Sequence, residues 1–287
     1  MSISIQKVGI IGAGTMGNGI AQACATSGID VVMVDIAEPA VQKGIATVTA
    51  SLDRLIKKEK ITEADKAAAL SRIKGSTSYD DLKDCHLVIE AATENPTIKN
   101  KILQQLDSML PADAIIASNT SSISITELAA QTQRADKFIG MHFFNPVPMM
   151  ALVELIRGLQ TSDATHDTVK ELAEKLGKTP ITVKNSPGFV VNRILVPMIN
   201  EAFFVLSEGV ATPEDIDAGM KLGCNHPIGP LALADMIGLD VCLAVMEVYV
   251  EQFNDSKYRP CYLLREYVAA GRLGRKTGRG VYDYTAK

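Results

Sequence analysis

Over roughly the first 185 positions, apolar residues come in short β-branched runs separated by stretches of helical spacing. Lys7-Val8-Gly9-Ile10-Ile11 is the first run and ends in a glycine cluster. Ile20 to Ser27 follows with helix-forming composition until Gly28 stops it. Val31-Val32-Met33-Val34-Asp35 then has the unbroken apolar character of a strand buried on both faces. Strand, helix and strand in this order make a βαβ unit. Further strands are predicted at Leu87–Ala91, Ala114–Ser118, Phe138–Met141, Leu152–Ile156 and Pro180–Val183, with helices near Ile98–Leu110 and Thr165–Leu176.

Between Asp35 and Leu87 lie 51 residues, more than one crossover helix requires. Glu38–Glu59 has helical composition and a basic end in Arg54, Lys57, Lys58 and Lys60, and Thr62-Glu63-Ala64-Asp65 opens a second helix to about Lys74. A helical hairpin inserted into the sheet topology is expected. After Lys184-Asn185-Ser186-Pro187-Gly188 the pattern changes, and the 102 residues 186–287 show helical periodicity alone. Thr212-Pro213-Glu214-Asp215 is a helix start, with a threonine cap and acids in the first turn, and Pro197 should kink the first long helix. The expected fold class is therefore α/β. A Rossmann-like doubly wound sheet with a helical hairpin insertion occupies 1–185, and an all-helical C-terminal domain occupies 186–287.

Candidate chemistry starts at Gly12-Ala13-Gly14-Thr15-Met16-Gly17, a G-x-G-x-x-G placed directly after a strand and opening a helix. Glycines there allow a tight turn and close backbone approach to a pyrophosphate, and the helix N-terminus offers N–H groups to the anion. A bare match would also fit a turn that needs glycine only for packing. Asp35, 18 residues after Gly17 at the end of the second strand, narrows the choice. Its carboxylate suits ribose hydroxyls and repels a 2′-phosphate, and Ile36-Ala37 offers no arginine, so NAD is expected over NADP.

His142 closes one apolar run and Glu154 lies inside another, joined by Phe143-Phe144-Asn145-Pro146-Val147-Pro148-Met149-Met150. A lone histidine after a strand is commonly a satisfied core residue. An unpaired buried glutamate is costly, however, and two adjacent strands would let each residue account for the other.

Charge and composition narrow the remaining classes. With 29 basic and 33 acidic residues the chain carries a formal charge of -4, which disfavours general nucleic-acid binding. Its 47% hydrophobic content excludes dominant disorder. Five widely spaced cysteines without a Cys-x-x-Cys pair argue against disulfides and zinc, and no metal is expected. The start, Met1 to Lys7, lacks the features of a secretion signal, and no long uninterrupted apolar run occurs, so a cytoplasmic protein without membrane attachment is expected.

Taken together, His142-Phe143-Phe144-Asn145-Pro146-Val147-Pro148 with Glu154, the glycine loop, Asn185-Ser186-Pro187-Gly188-Phe189-Val190-Val191-Asn192-Arg193, and the terminal Gly274-Arg275-Lys276-Thr277-Gly278-Arg279-Gly280-Val281-Tyr282 resemble the short-chain L-3-hydroxyacyl-CoA dehydrogenase family. The resemblance spans essentially the whole chain, and in length it is nearest the bacterial 3-hydroxybutyryl-CoA branch. It implies reversible oxidation of a (3S)-3-hydroxyacyl-CoA to the 3-ketoacyl-CoA, with acetoacetyl-CoA and 3-hydroxybutyryl-CoA as the expected substrate pair. By the same resemblance His142 is the catalytic acid/base, Glu154 orients it, and Ser121 and Asn192 contact the substrate oxygen. Glu94, Lys99, Asn119 and Lys276 fall near the cofactor, and Ser51 and Lys58 near coenzyme A. Read without the resemblance, Glu94 is a first-turn helix acid, Lys99 a solvated helix residue, and Ser121 or Ser122 a helix cap. A homodimer is expected, through apolar residues of the helical domain such as Val205, Leu222, Leu231, Leu233, Met236 and Ile237. A dehydrogenase of a free hydroxy acid and a non-catalytic dinucleotide-binding protein remain as alternatives.

Overall fold

A computed structural model describes residues 4–285. The chain divides into two compact units, 1–186 and 187–287. Unit one is built on a single eight-stranded sheet: β1 (Lys7–Ile11), β2 (Asp30–Val34), β3 (Ile73–Ser76), β4 (Leu87–Glu90), β5 (Ile115–Ser118), β6 (Phe138–Phe143), β7 (Leu152–Arg157) and β8 (Thr179–Lys184). Their spatial order is β3-β2-β1-β4-β5-β6-β7-β8. Every neighbouring pair is parallel except β6 and β7, which a short loop joins and which therefore run antiparallel. Chain order reverses direction between β1 and β4, the position where open α/β sheets leave a crevice outside the strand carboxyl ends.

The helices of this unit are α1 (Thr15–Thr26), α2 (Glu38–Lys57), α3 (Glu63–Ser71), α4 (Pro96–Met109), the short α5 (Ile125–Ala129) and α6 (Asp163–Lys175). α2 and α3 form the expected hairpin. A capping box closes the start of α3: Thr62 Oγ1 accepts from Asp65 N at 3.1 Å, and Asp65 Oδ2 accepts from Thr62 N at 2.9 Å. The predicted extension of that helix to Lys74 is wrong. Ile73–Ser76 instead pairs with β2 as the sheet's edge strand. A run of four residues with one apolar member gives no period to read, and its strand character comes from the partner. Gly75 is required there, since a Cβ would lie 2.4 Å from Val41 Cγ1 on α2.

The second unit contains α7 (Val191–Ser207, with Pro197 inside it), α8 (Pro213–Gly223), α9 (Pro230–Ile237), α10 (Leu239–Phe253) and α11 (Tyr262–Ala269). Ile199, Phe203, Leu231, Leu239, Met246 and Leu264 are buried in its core. Thr212 caps α8 as expected, accepting from Asp215 N at 3.2 Å. Asp217 does the same service for α9, where Oδ1 and Oδ2 accept from Leu231 N at 2.8 Å and Ala232 N at 2.9 Å. Of the apolar residues expected at a subunit interface, Leu231 is excluded because this unit's own core consumes it, whereas Leu222 is 86% exposed and Met236 52%. Among the described residues, no helix is long and apolar enough to cross a membrane.

Candidate active site

The turn from β1 into α1 is fitted to an anion by what its glycines leave out. Gly12 has φ +99°, and a Cβ there would sit 2.7 Å from Ala91 O. At Gly17, inside the first turn of α1, a Cβ would lie 1.8 Å from Gly12 O, so the helix packs directly on the loop. Gly14 is the N-cap, is exposed, and supplies no side-chain acceptor, which leaves the first-turn N–H groups at Thr15 and Met16 without a side-chain cap. Asp35 follows β2, and its Oδ2 accepts from Ala13 N at 2.8 Å while Oδ1 accepts from Ile36 N at 2.8 Å. The acid expected at the ribose is thus tied to the loop that would carry the pyrophosphate. This cradle fits a dinucleotide.

His142 lies in β6 and Glu154 in β7, directly opposite one another in the antiparallel register. Glu154 Oε2 is 2.7 Å from His142 Nδ1. A carboxylate only accepts, so in that pairing Nδ1 is the donor and Nε2 is the ring nitrogen turned to other chemistry. Glu154 is 0% exposed and His142 7%. Phe144 stacks obliquely on the imidazole, with ring centroids 4.6 Å apart. Asn119, after β5, fixes the backbone beside it: Oδ1 accepts from Phe143 N at 2.8 Å.

Ser121 belongs to the loop after β5, and it is not a helix cap. The cap of α5 is Ser124, whose Oγ accepts from Glu127 N at 3.3 Å. Glu94 is likewise not a first-turn acid, because α4 begins at Pro96 with Asn95 as its cap. The Glu94 carboxylate accepts from Thr120 Oγ1 at 2.7 Å, Ser121 N at 2.7 Å and Ser121 Oγ at 3.0 Å, binding the two loops that follow β4 and β5. Lys99 departs furthest from its residue-level reading. Far from solvated, it is buried and ion-paired with Glu90 at the end of β4. Helical spacing on α4 carries no sign of this, because the buried acid that receives the ammonium lies on another element.

The remaining expected positions lie on other elements. On the helical hairpin Ser51 is half-buried and Lys58 exposed. Asn192, in the first turn of α7, and Lys276 belong to the second unit. Lys276 Nζ pairs with Asp240 at 2.6 Å, at the start of α10. Among the described residues, no group of three or more His, Cys, Asp or Glu is placed to hold a metal ion.

Two sequence profiles together cover nearly the whole chain: the 3-hydroxyacyl-CoA dehydrogenase NAD binding domain over residues 7–186 and the 3-hydroxyacyl-CoA dehydrogenase C-terminal domain over 188–284. The chain belongs to the 3-hydroxyacyl-CoA dehydrogenase family. It is 56% identical to the 3-hydroxybutyryl-CoA dehydrogenase of Bradyrhizobium diazoefficiens, over 99% of this chain and 97% of that one. It is 52% identical to the 3-hydroxybutyryl-CoA dehydrogenase of Clostridioides difficile, over 97% and 99% of the two chains. The crystal structure of (S)-3-hydroxybutyryl-CoA dehydrogenase from Ralstonia eutropha matches with a TM-score of 0.97 and 76% identity, covering 98% of this chain and all of that one. The family expected from the motifs is therefore the family found. This 3-hydroxyacyl-CoA dehydrogenase has a Rossmann-like NAD domain followed by an all-helical region, and NAD is its cofactor.

Proposed function

We propose that the chain is an NAD-dependent 3-hydroxybutyryl-CoA dehydrogenase that interconverts (S)-3-hydroxybutyryl-CoA and acetoacetyl-CoA. The observation that carries this reading is the buried His142–Glu154 pair at 2.7 Å, set by strand register on the same sheet that carries the dinucleotide cradle. Full-length similarity to enzymes named for that substrate supports the choice of acyl group.

Bound NAD supplies the hydride acceptor. His142 Nε2 takes the proton of the substrate hydroxyl as the C3 hydride leaves, and in the reductive direction it returns that proton to the forming alkoxide. Glu154 holds the ring by Nδ1 and stabilises the imidazolium once the proton has arrived. Ser121 is the proposed contact for the substrate oxygen. A hydroxyl has one proton, and Ser121 Oγ here gives its proton to Glu94; because the substrate's own hydroxyl proton goes to His142 Nε2, Ser121 holds that oxygen only by donating to it. To do so it must turn its proton away from Glu94. On the strength of the resemblance alone, Asn192 is a further substrate contact, Lys276 a cofactor contact, and Ser51 and Lys58 contacts for coenzyme A. We place the enzyme in the cytoplasm as a homodimer, with the C-terminal unit contributing the interface.

Steady-state reduction of acetoacetyl-CoA with NADH and with NADPH, alongside free acetoacetate, tests the proposal. Turnover of the thioester with NADH is expected to exceed both alternatives. Equal rates on acetoacetate would remove coenzyme A from the reading, and a preference for NADPH would overturn the role given to Asp35.

A further inference from the structure

Beneath the loops that hold Ser121 lies a small polar knot fully withdrawn from water. Glu90 ends β4 at 0% exposure, Ser118 ends β5 at 0%, and Lys99 on α4 is 1% exposed. A carboxylate and an ammonium buried together persist only where each satisfies the other. Glu90 Oε2 accepts from Lys99 Nζ and from Ser118 Oγ, and Oε1 accepts from Ala92 N at 2.9 Å. Its main-chain carbonyl accepts from Asn119 N at 2.8 Å. Both loops at the crevice are therefore keyed to one side chain. On one side is Ala92, whose Cα lies 2.8 Å from where a Cβ on Gly12 would be. On the other is the segment running from Ser118 through Asn119, which holds Phe143 beside His142, to Ser121.

Lys99 has no route to a ligand in this arrangement, since its ammonium is closed under Glu90 and Ser118. We propose that Glu90 and Lys99 form one positioning unit: the Glu90 carboxylate sets the 91–94 and 118–122 loops in place, and Lys99 serves by anchoring and neutralising it rather than by touching NAD. The proposal rests on the reading of Ser121 and Asn119 as site residues, and it adds Glu90 as the residue through which Lys99 acts.

The test compares Lys99→Met, Glu90→Gln, Glu90→Asp and the double variant E90Q/K99M in the full chain. It measures kcat and KM for acetoacetyl-CoA reduction, the Kd of NADH by fluorescence, and folding by circular dichroism. K99M strands a buried carboxylate under the loops, so kcat should fall about tenfold or more while the Kd of NADH moves by less than about threefold. Removing both charges should recover most of that kcat, and E90D should retain more than E90Q. Two results would overturn the proposal. One is K99M weakening NADH about tenfold at unchanged kcat, unrelieved in the double variant, which makes Lys99 a direct ligand. The other is a folded E90Q with wild-type kcat. If K99M fails to fold, the double variant decides: wild-type NADH affinity supports the positioning unit, and a tenfold loss overturns it. A wild-type protein that binds NADH but leaves acetoacetyl-CoA unreduced sinks the functional reading alone, because the NADH affinities still judge the role of Lys99.

Discussion

At the scale of single residues, His142 and Glu154 were legible because a carboxylate in an apolar strand demands a partner, and the chain offers few imidazoles to answer it. Lys99 was illegible for the complementary reason. A lysine on an amphipathic helix is ordinarily solvated, and only tertiary structure reveals the acid buried against it. Glu94 and Ser121 are intermediate cases: their loops could be placed at strand ends, but the contacts joining them cross 27 residues of sequence. Two substitutions separate the parts of the dyad. His142→Gln keeps the ring's volume without its acid/base chemistry, so turnover should drop by about two to four orders of magnitude with NADH affinity preserved. Glu154→Gln keeps a hydrogen-bonding partner but not the charge that supports imidazolium. It should lower kcat less than His142→Gln does, and near wild-type rates in both variants would remove the pair from the mechanism.

Among the elements, the loop between β6 and β7 and the β1–β4 border show which contacts hold the scaffold under the site. Lys178, just before β8, donates from Nζ to the carbonyls of Val147 at 2.6 Å and Met150 at 2.8 Å, pinning that loop. Burial pushes its ammonium pKa down from the ordinary lysine range. Lys178→Met leaves both carbonyls without that donor and should destabilise the protein by about 1–3 kcal/mol in denaturant unfolding, whereas Lys178→Arg should keep most of the loss away. At the other border, Lys7 and Asp84 pair at 2.6 Å between the start of β1 and the segment before β4. The hydrogen bond from Lys7 holds the Asp84 carboxyl below its ordinary 3.8. A depressed carboxyl pKa stabilises the fold above 3.8 and loses that contribution as pH falls through the folded value. Asp84→Asn should therefore be less stable than wild type near neutrality, by no more than about 1 kcal/mol for so exposed a pair. The two unfolding curves should converge in acid, and a difference that persists there would rule out the charge as its source. Strand β3 was beyond sequence pattern for a related reason, since its strand character comes from pairing with β2.

For the whole molecule, alternating strands and helices followed by helical periodicity alone sufficed to separate an α/β part from a helical one. Nothing in that pattern could tell which apolar helix residues a unit keeps for itself. Leu231 enters its own core, while Ile194, Val210, Leu222 and Tyr262 remain between 67% and 86% exposed on the second unit. These side chains are the ones available to the proposed homodimer interface. Sedimentation at micromolar concentration should give a species of about twice the 30.8 kDa chain mass, and a concentration-independent monomer would refute the dimer.

The antiparallel step from β6 to β7 also bears on how this enzyme can be altered. Because His142 faces Glu154 through strand pairing, the dyad does not depend on the length of the connection between them. The exposed part of the loop, at Met149 and Met150, can therefore be lengthened without moving the dyad, provided Lys178 still finds its two carbonyls. A single-residue deletion within β7 is a different matter. It would turn Glu154 to the opposite face of the sheet and disarm the histidine without touching it, so variation is confined to the hairpin's tip and barred from its arms.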